Sequence, residues 1–301
     1  QSLSKFYQPY RGRLYANSIF RQHVLARQRF GLVDPALAEK IRFDRLFDLL
    51  VEEAQLLLTL LEHESLTGKK LLEIGSGVGL VYGFLKKSGA DVYGLEPSDS
   101  GFDGCFEAAT QLFKIIAVDG SHMYPYLAQD CQKIGVQFDL IFSNNVLEHI
   151  PELETALTAL ASVLRPGGKM IHNTVNYHVP YEPHFGIWLV PFLPQKTELF
   201  RPWLRQSSLW RGLIFITTSY LRCFCAVQKL EIRFRRDRLR LTLQRLETDP
   251  AFAKRQKIFV PLYLLLVRTR LLKLLDLLPI AMTTPITFTI THRRAKDVVP
   301  C

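Results

Sequence analysis

The chain has 301 residues, 48% of them hydrophobic, and is therefore long enough to bury the core of at least one full domain. Its charge is uneven: residues 1–189 carry 17 Lys or Arg against 21 Asp or Glu, whereas residues 190–301 carry 21 against 7, giving net charges of −4 and +14. The basic part favours an acidic partner such as phospholipid head groups, nucleic acid or a phosphorylated substrate. No run approaches the ~20 apolar residues that cross a bilayer.

The cysteines are odd in number and scattered along the sequence (Cys105, Cys131, Cys223, Cys225 and Cys301). Cys223 and Cys225 are too close in sequence for an ordinary disulfide or for a CxxC metal-binding turn. We therefore expect a reducing, cytoplasmic compartment and no metal site.

The first 64 residues are predicted to form an N-terminal helical cap. Leucines recur at helical spacing over residues 44–64, among good helix formers, and predict an amphipathic helix that leads into the first strand.

Residues 65–177 alternate between strand and helix patterns and form the predicted core domain. Strands are predicted at 70–74, 91–95, 113–118, 138–143 and 169–173, and helices at 79–88, 103–112 and 153–164. Such alternation is typical of a doubly wound α/β fold, whose parallel sheet binds ligands at the carboxyl ends of its strands.

After residue 177 the sequence becomes less regular. Residues 178–212 are rich in Pro and aromatic residues and predict an irregular lid. A buried helix is predicted at 213–227, a strand at 230–235, helices over 237–278 and a final strand at 286–291. We divide this part into a lid and basic helical insertion, 178–285, and a final strand with its tail, 286–301.

Three glycines follow the first predicted strand directly, at Gly75, Gly77 and Gly79. Glycines between a strand and a helix let the backbone approach a nucleotide-like ligand closely. Leu80 stands where a dinucleotide-binding turn has its third glycine, so the spacing departs from the turn that binds a pyrophosphate. The acidic Glu73 at the strand end instead favours a cationic ligand.

Two further acidic residues follow predicted strands. Glu96, at the tip of the second strand, can accept hydrogen bonds from both hydroxyls of a ribose. Asp119, predicted to end the third strand, can accept from an adenine amino group. Together they indicate an adenosine-containing cofactor without identifying it.

The segments EIGSGVG, EPS, VDG, NNVLEH and LRPGG occur in this order over residues 65–177. In order and spacing, the sequence resembles the class I S-adenosylmethionine-dependent methyltransferases, in the branch of ubiquinone-biosynthesis-type and related small-molecule enzymes whose fourth strand runs into a VLEH segment. The resemblance implies a Rossmann-like α/β fold, with a doubly wound seven-stranded sheet whose last strand is antiparallel.

The resemblance also implies S-adenosylmethionine as cofactor and assigns roles to residues of this sequence. The methionine portion would be bound by Glu73, Gly75, Ser76, Gly77 and Gly79. The ribose would be bound by Glu96, and the adenine by Asp119 with Gly120. The sulfonium end would be lined by Asn144 and Leu147.

Candidate general bases are His149 of the VLEH segment and the pair Glu182 and His184 on the predicted lid. Histidine suits proton removal because its ordinary pKa of ~6.5 lies near the operating pH. We therefore expect methylation at oxygen, although the sequence leaves methylation at carbon or nitrogen open.

The acceptor is expected to be a small molecule or a lipid-like compound. Residues 144–147 lack the Asn/Asp-Pro-Pro-aromatic pattern of enzymes that methylate nucleic-acid bases, which disfavours nucleic acid. On a helix over 262–278, the charged residues Arg268, Arg270, Lys273 and Asp276 would leave a broad leucine-rich face. That helix would either pack on the core or lie at an anionic membrane surface, so membrane association of a cytoplasmic enzyme stays open.

Two other functions are compatible with parts of the sequence. One is a catalytically silent protein that keeps the fold and binds a membrane or a partner through its basic region. The other is a nicotinamide-dependent oxidoreductase, which the glycine spacing and the lack of a suitably placed Tyr-x-x-x-Lys pair disfavour.

Overall fold

A computed structural model describes residues 2–26, 34, 36–98 and 104–293 of the chain. Cys301 with the rest of the predicted tail, and Asp103 at the predicted start of a helix, lie outside these residues. The chain divides into two compact units, the first made of Gln1–Asn144 with Glu154–Met170 and the second of Asn145–Leu153 with Ile171–Cys301.

Seven of the strands form one sheet in the order β3-β2-β1-β4-β5-β9-β8. β1 is parallel to β2 and β4, β2 is parallel to β3, and β8 runs antiparallel to β9. The predicted doubly wound α/β fold with an antiparallel end is therefore confirmed. β6 and β7 pair separately as a short hairpin. The strands are β1 Lys70–Ile74, β2 Asp91–Leu95, β3 Met123–Tyr124, β4 Phe138–Asn144, β5 Leu164–Thr174, β6 Tyr181–Glu182, β7 Ile187–Trp188, β8 Leu230–Phe234 and β9 Ile286–His292.

The register of β1 and β2 brings their carboxyl ends level, because Ile74 pairs with Leu95. The Ser76 N–H then donates to the Leu95 carbonyl over 3.0 Å, and the Glu96 N–H donates to the Tyr124 carbonyl over 3.1 Å. Both residues that follow these strands are thereby held at the same edge of the sheet.

The first unit begins with short helices that pack on a long one, α4. Hydrophobic residues at helical spacing give α4 a continuous buried face, on which Phe43 and Phe47 stack with ring centroids 5.8 Å apart. Tyr7 of α1 packs against Phe47, and its hydroxyl donates to the Leu80 carbonyl over 2.6 Å. The helices are α1 Leu3–Tyr7, α2 Arg11–Ala16, α3 Ser18–Ala26, α4 Glu39–Leu60, α5 Leu80–Lys87, α6 Cys105–Ile116 and α7 Leu153–Ser162.

The third strand lies later in the sequence than predicted. Residues 113–116, expected to begin that strand, instead complete α6, where Leu112, Phe113 and Ile116 are buried on one helical face. Ala117 then adopts a left-handed conformation that ends the helix. A short apolar run fits a strand and a buried helix equally well, so its pattern could not separate the two.

The second unit contains shorter helices, α8 Thr197–Phe200, α9 Ser208–Gly212, α10 Thr218–Val227, α11 Arg238–Thr248, α12 Pro250–Arg255 and α13 Val260–Arg268. The single helix expected over 262–278 is wrong. Arg270 has a positive φ of 58°, and a 3₁₀ helix, Leu272–Leu277, follows it, so the predicted helical wheel does not apply. Within the described ranges, no helix is both long and apolar enough to cross a membrane.

Residues 178–215 leave the segment that follows β5 and return beside it. The Tyr177 N–H donates to the Ile216 carbonyl over 2.8 Å, and the Ile214 N–H donates to the Glu148 carbonyl over 2.8 Å. The following helix starts only at Thr218, because the Thr217 hydroxyl accepts from the Tyr220 N–H and caps it.

Candidate functional site

The turn between β1 and α5 has the backbone geometry that the sequence predicts. Gly75, Gly77 and Gly79 have positive φ values of 66°, 55° and 76°, a region that disfavours residues with a Cβ. A Cβ at Gly79 would also lie 2.6 Å from Cζ of Phe113. Beside Gly77, in contrast, there is open space. The turn is therefore packed on one side and accessible on the other.

Glu96 lies directly against this turn. Its Oε2 accepts a hydrogen bond from the Gly77 N–H over 2.7 Å, and the residue is only 5% exposed. The first turn and the acidic residue after β2, which lie 19 positions apart in sequence, are thus joined by a hydrogen bond.

Glu73 is buried beneath the turn, and its Oε2 has no hydrogen-bond partner. Burial raises its pKa to about 8, and the nearby Glu96 carboxylate acts in the same direction, although hydrogen bonds from Ser76 and the Tyr82 backbone oppose the shift. A buried carboxyl group with an unpaired oxygen gains most from a cationic group. Glu73, Gly77 and Glu96 therefore fit a ligand that carries an ammonium group and a ribose.

Asp119 and Gly120 do not follow a strand. They precede β3, whose first residue, Met123, pairs with Gly94 near the end of β2. The Asp119 carboxylate accepts from the N–H and the hydroxyl of Ser121, which lower its pKa. The expectation that Asp119 follows the third strand is therefore wrong, and a contact of Asp119 and Gly120 with adenine stays a prediction.

An aromatic pair follows β3 instead. The rings of Tyr124 and Tyr126 stack with centroids 5.4 Å apart and planes 18° from parallel. The Tyr124 carbonyl accepts from the Glu96 N–H, so this pair begins beside the acidic residue. These tyrosines were not predicted, because the third strand was expected too early in the sequence.

The residues predicted to line the sulfonium end lie in or after β4. Asn144 is the last residue of this strand, and Asn145 has a positive φ of 53°. Leu147 is completely buried and begins a 3₁₀ turn, Leu147–His149. Their contact with a cofactor stays a prediction.

In the second unit, Glu182 and His184 form the predicted pair. The completely buried Glu182 Oε1 accepts from the His184 Nδ1–H over 2.6 Å and from the His184 backbone N–H over 2.7 Å. The other carboxylate oxygen, Oε2, accepts from the Tyr177 hydroxyl. Burial and the Glu182 charge raise the pKa of Tyr177, so this hydroxyl keeps its proton.

His149 lies beside this pair, with its ring centroid 5.4 Å from that of His184. Burial lowers the pKa of His149 to about 4, and the nearby His184 acts in the same direction. The three candidate bases are thus brought together in one cluster, in which His149 is neutral at physiological pH.

Glu148, which was not among the predicted site residues, completes the cluster. Its Oε2 accepts from the Thr174 hydroxyl over 2.7 Å, Oε1 has no hydrogen-bond partner, and burial raises its pKa. Donor atoms of Glu148, His149 and His184 all lie within 4.8 Å of one another, an arrangement that could also hold a metal ion. Only the position of Glu148 in the VLEH segment could have indicated it.

The hydrogen bond from Nδ1 determines what His184 can do. Because Nδ1 donates to Glu182, the neutral ring carries its proton on Nδ1 and presents Nε2 as the acceptor atom. A buried carboxylate on Nδ1 also stabilises the imidazolium that forms when Nε2 takes up a proton. The cluster can therefore act as a general base.

Comparison with known proteins covers much of the chain. Residues 41–217 match the family model of a methyltransferase domain. An uncharacterized protein of Mycobacterium tuberculosis (strain H37Rv) is 32% identical over 197 residues, which are 63% of this chain and 67% of that protein. A ubiquinone biosynthesis O-methyltransferase of Stutzerimonas stutzeri (strain A1501) is 28% identical over 156 residues, which are 49% of this chain and 63% of the relative.

Among solved structures, the magnesium protoporphyrin IX methyltransferase of Synechocystis PCC 6803 with bound S-adenosylmethionine aligns with a TM-score of 0.42 at 16% identity. The alignment covers 73% of this chain and 85% of that one. The family match alone extends over more than half of the chain, from α4 through the glycine turn to Thr217. The chain belongs to the methyltransferase domain family, whose members take a methyl group from S-adenosylmethionine.

Proposed function

We propose that this protein transfers a methyl group from S-adenosylmethionine to a hydroxyl oxygen of a small or lipid-like acceptor, with His184 as general base. The observation that carries the proposal is the buried Glu182 carboxylate on Nδ1 of His184. The Stutzerimonas stutzeri relative, which is named as an O-methyltransferase, supports the choice of oxygen.

In the proposed complex, the first-unit residues hold the cofactor. Glu73 would face the methionine ammonium, since its buried oxygen lacks a partner, and Glu96 would face the ribose. Gly75, Ser76, Gly77 and Gly79 would supply close backbone approach, and Tyr124 would offer a ring beside the adenine. When bound, S-adenosylmethionine supplies a methyl group on a positively charged sulfur, which leaves as a neutral thioether.

His184 would take the acceptor's hydroxyl proton on Nε2 while the acceptor oxygen bonds to the methyl carbon. Glu182 would hold the ring and compensate its new charge, and Tyr177 would hold Glu182. His149 is the weaker base, because its lowered pKa opposes proton uptake. General bases of this kind contribute roughly 10²- to 10⁴-fold to a rate.

An apolar acceptor is supported by the surroundings of this cluster. Tyr177 and Ile187 belong to a buried hydrophobic core that also contains Leu204 and Trp210, with Phe185, the residue after His184, packed against it. We further propose that residues 178–285 act as the lid and basic insertion of a cytoplasmic enzyme that works at an anionic membrane surface.

The experiment has a binding arm and a turnover arm. Calorimetric titration with S-adenosylmethionine and, separately, NADH should show micromolar binding of the former alone, weakened at least ten-fold by Glu96→Ala. Turnover of prenylated and simple phenols should fall at least 100-fold in His184→Gln without loss of cofactor binding. His63→Gln, a change at an exposed histidine of the first unit, is the matched control and should keep full activity.

Other outcomes would contradict parts of the proposal. Binding of NADH alone would reject the cofactor, and cofactor binding without turnover of any acceptor would favour a catalytically silent protein. Turnover that chelators abolish, and that a divalent cation restores, would assign the cluster of Glu148, His149 and His184 to a metal ion instead of a general base.

A further inference from the structure

Two segments of the second unit expose large apolar side chains to solvent. In the leucine-rich segment, residues 257–282, Leu262, Leu264, Leu265, Leu274 and Leu277 are half or more exposed, and Leu277 reaches 71%. In the aromatic segment, residues 188–203, Phe192 is 99% exposed and Phe200 77%. Soluble surfaces seldom group such residues unless the group contacts a partner or a membrane.

α13 has an unusual distribution of hydrophobic residues for an exposed helix. From Val260 to Val267 its residues are apolar apart from Tyr263, and Tyr263 is its one buried side chain. A helix that is hydrophobic on every side normally lies in a protein core or in an apolar phase. Here only the Tyr263 side meets protein, so the rest of the helix lacks an apolar environment.

The two segments meet at Tyr181 of β6. Its hydroxyl donates to Oε1 of Gln256 over 2.7 Å, and its ring lies 5.5 Å from that of Phe259, just ahead of α13. On the aromatic side, the Tyr181 ring lies 5.2 Å from that of Trp188. The exposed leucines and the exposed aromatic rings therefore flank the same buried tyrosine.

The charges of the leucine-rich segment are almost all positive. Arg268, Arg270 and Lys273 are exposed and form no salt bridge with the described residues, whereas Asp276, the one acidic residue of 257–282, is paired with Arg240 over 2.9 Å. Apolar and cationic groups side by side complement a surface that offers acyl chains beneath anionic head groups.

We propose that residues 257–282, together with the aromatic segment, bind the surface of an anionic phospholipid bilayer. The exposed leucines and rings would enter the boundary between head groups and acyl chains, while Arg268, Arg270 and Lys273 meet the phosphates. The proposal deepens the membrane association proposed above by naming the residues that make the contact, and it rests on the proposed function for its purpose, the delivery of a lipid-like acceptor. The binding itself can be measured without turnover.

The test is flotation of the full chain with vesicles of phosphatidylcholine, with and without phosphatidylglycerol as the anionic lipid. Binding should require the anionic lipid and weaken in high salt. Arg268→Gln with Lys273→Gln should lower the partition coefficient by about 10- to 30-fold, at about 1 kcal/mol for each charge near the surface. Leu264→Glu with Leu277→Glu should lower it more than ten-fold.

Ile41→Glu is the matched control, because Ile41 is an exposed apolar residue of α4 in the first unit. It should leave vesicle binding unchanged. Equal binding by Leu264→Glu with Leu277→Glu, or no binding to either vesicle, overturns the proposal. So does sedimentation of the chain as a dimer that this double variant dissociates, since a second copy would then cover the surface. Turnover of a soluble phenol without vesicles tests the proposed function separately.

Discussion

Replacing Glu73 with glutamine should stabilise the cofactor-free protein, and more so as the pH rises. In the folded chain the pKa of Glu73 is raised from 4.5 to about 8, so the folded state holds a proton that the unfolded state releases above pH 4.5. Stability contributed by this group is therefore lost as the pH rises from 4.5 towards 8. At 1.36 kcal/mol for each pKa unit, the loss between pH 5 and pH 8 amounts to about 3 kcal/mol.

Urea unfolding of wild type and Glu73→Gln at pH 5 and pH 8 measures this loss. The variant should gain about 3 kcal/mol over wild type between the two pH values, because an amide has no proton to lose. Glu148 also has a raised pKa but is present in both proteins, so its contribution cancels. Equal pH dependence of the free energy of unfolding in the two proteins would refute the conclusion that Glu73 is protonated in the folded state. S-adenosylmethionine should reduce the difference, since its ammonium would favour the charged form of Glu73.

Two packing predictions test the surroundings of the sites. Gly79→Ala should destabilise the protein by at least about 2 kcal/mol in urea unfolding, because it combines a positive φ with a contact to Phe113. The control is Gly12→Ala, which should leave the free energy of unfolding unchanged because nothing lies within 4 Å of the added Cβ. Equal destabilisation by the two substitutions would contradict this prediction. Asn176→Ala should lower the free energy of unfolding by about 2 kcal/mol, because the Asn176 amide donates to three backbone carbonyls in the turn at 280–283. An unchanged midpoint of urea unfolding would contradict this prediction and would indicate that water replaces the amide.

The strands of the sheet were predicted well where the residue pattern fits a strand and not a helix. The strands at 70–74 and 91–95 were placed without error, because each is a short apolar run that ends at glycine or at an acidic residue. The third strand was misplaced because Phe113 and Ile116 fit a helix face as well as a strand. The long helix expected over 262–278 failed at Arg270, whose left-handed backbone no local pattern indicated.

The candidate site was predictable only in part. Motif order identified the turn at Gly75–Gly79 and Glu96, whose geometry depends mainly on neighbouring strands. The hydrogen bonds that orient the cluster of candidate bases come from Tyr177 and Thr174, which belong to no motif. Such partners are set by how distant segments pack, and a single sequence contains no direct signal for that.

The backbone hydrogen bond between Tyr177 and Ile216 has a consequence for evolution. Because the chain departs and returns at one anchored point, the 38 residues between these positions form a closed loop. The free-energy cost of closing such a loop grows only slowly with its length, so a change in loop length by itself alters the free energy of folding only a little. Chains of this family can therefore differ in the length of this loop while the glycine turn and the strands remain the same.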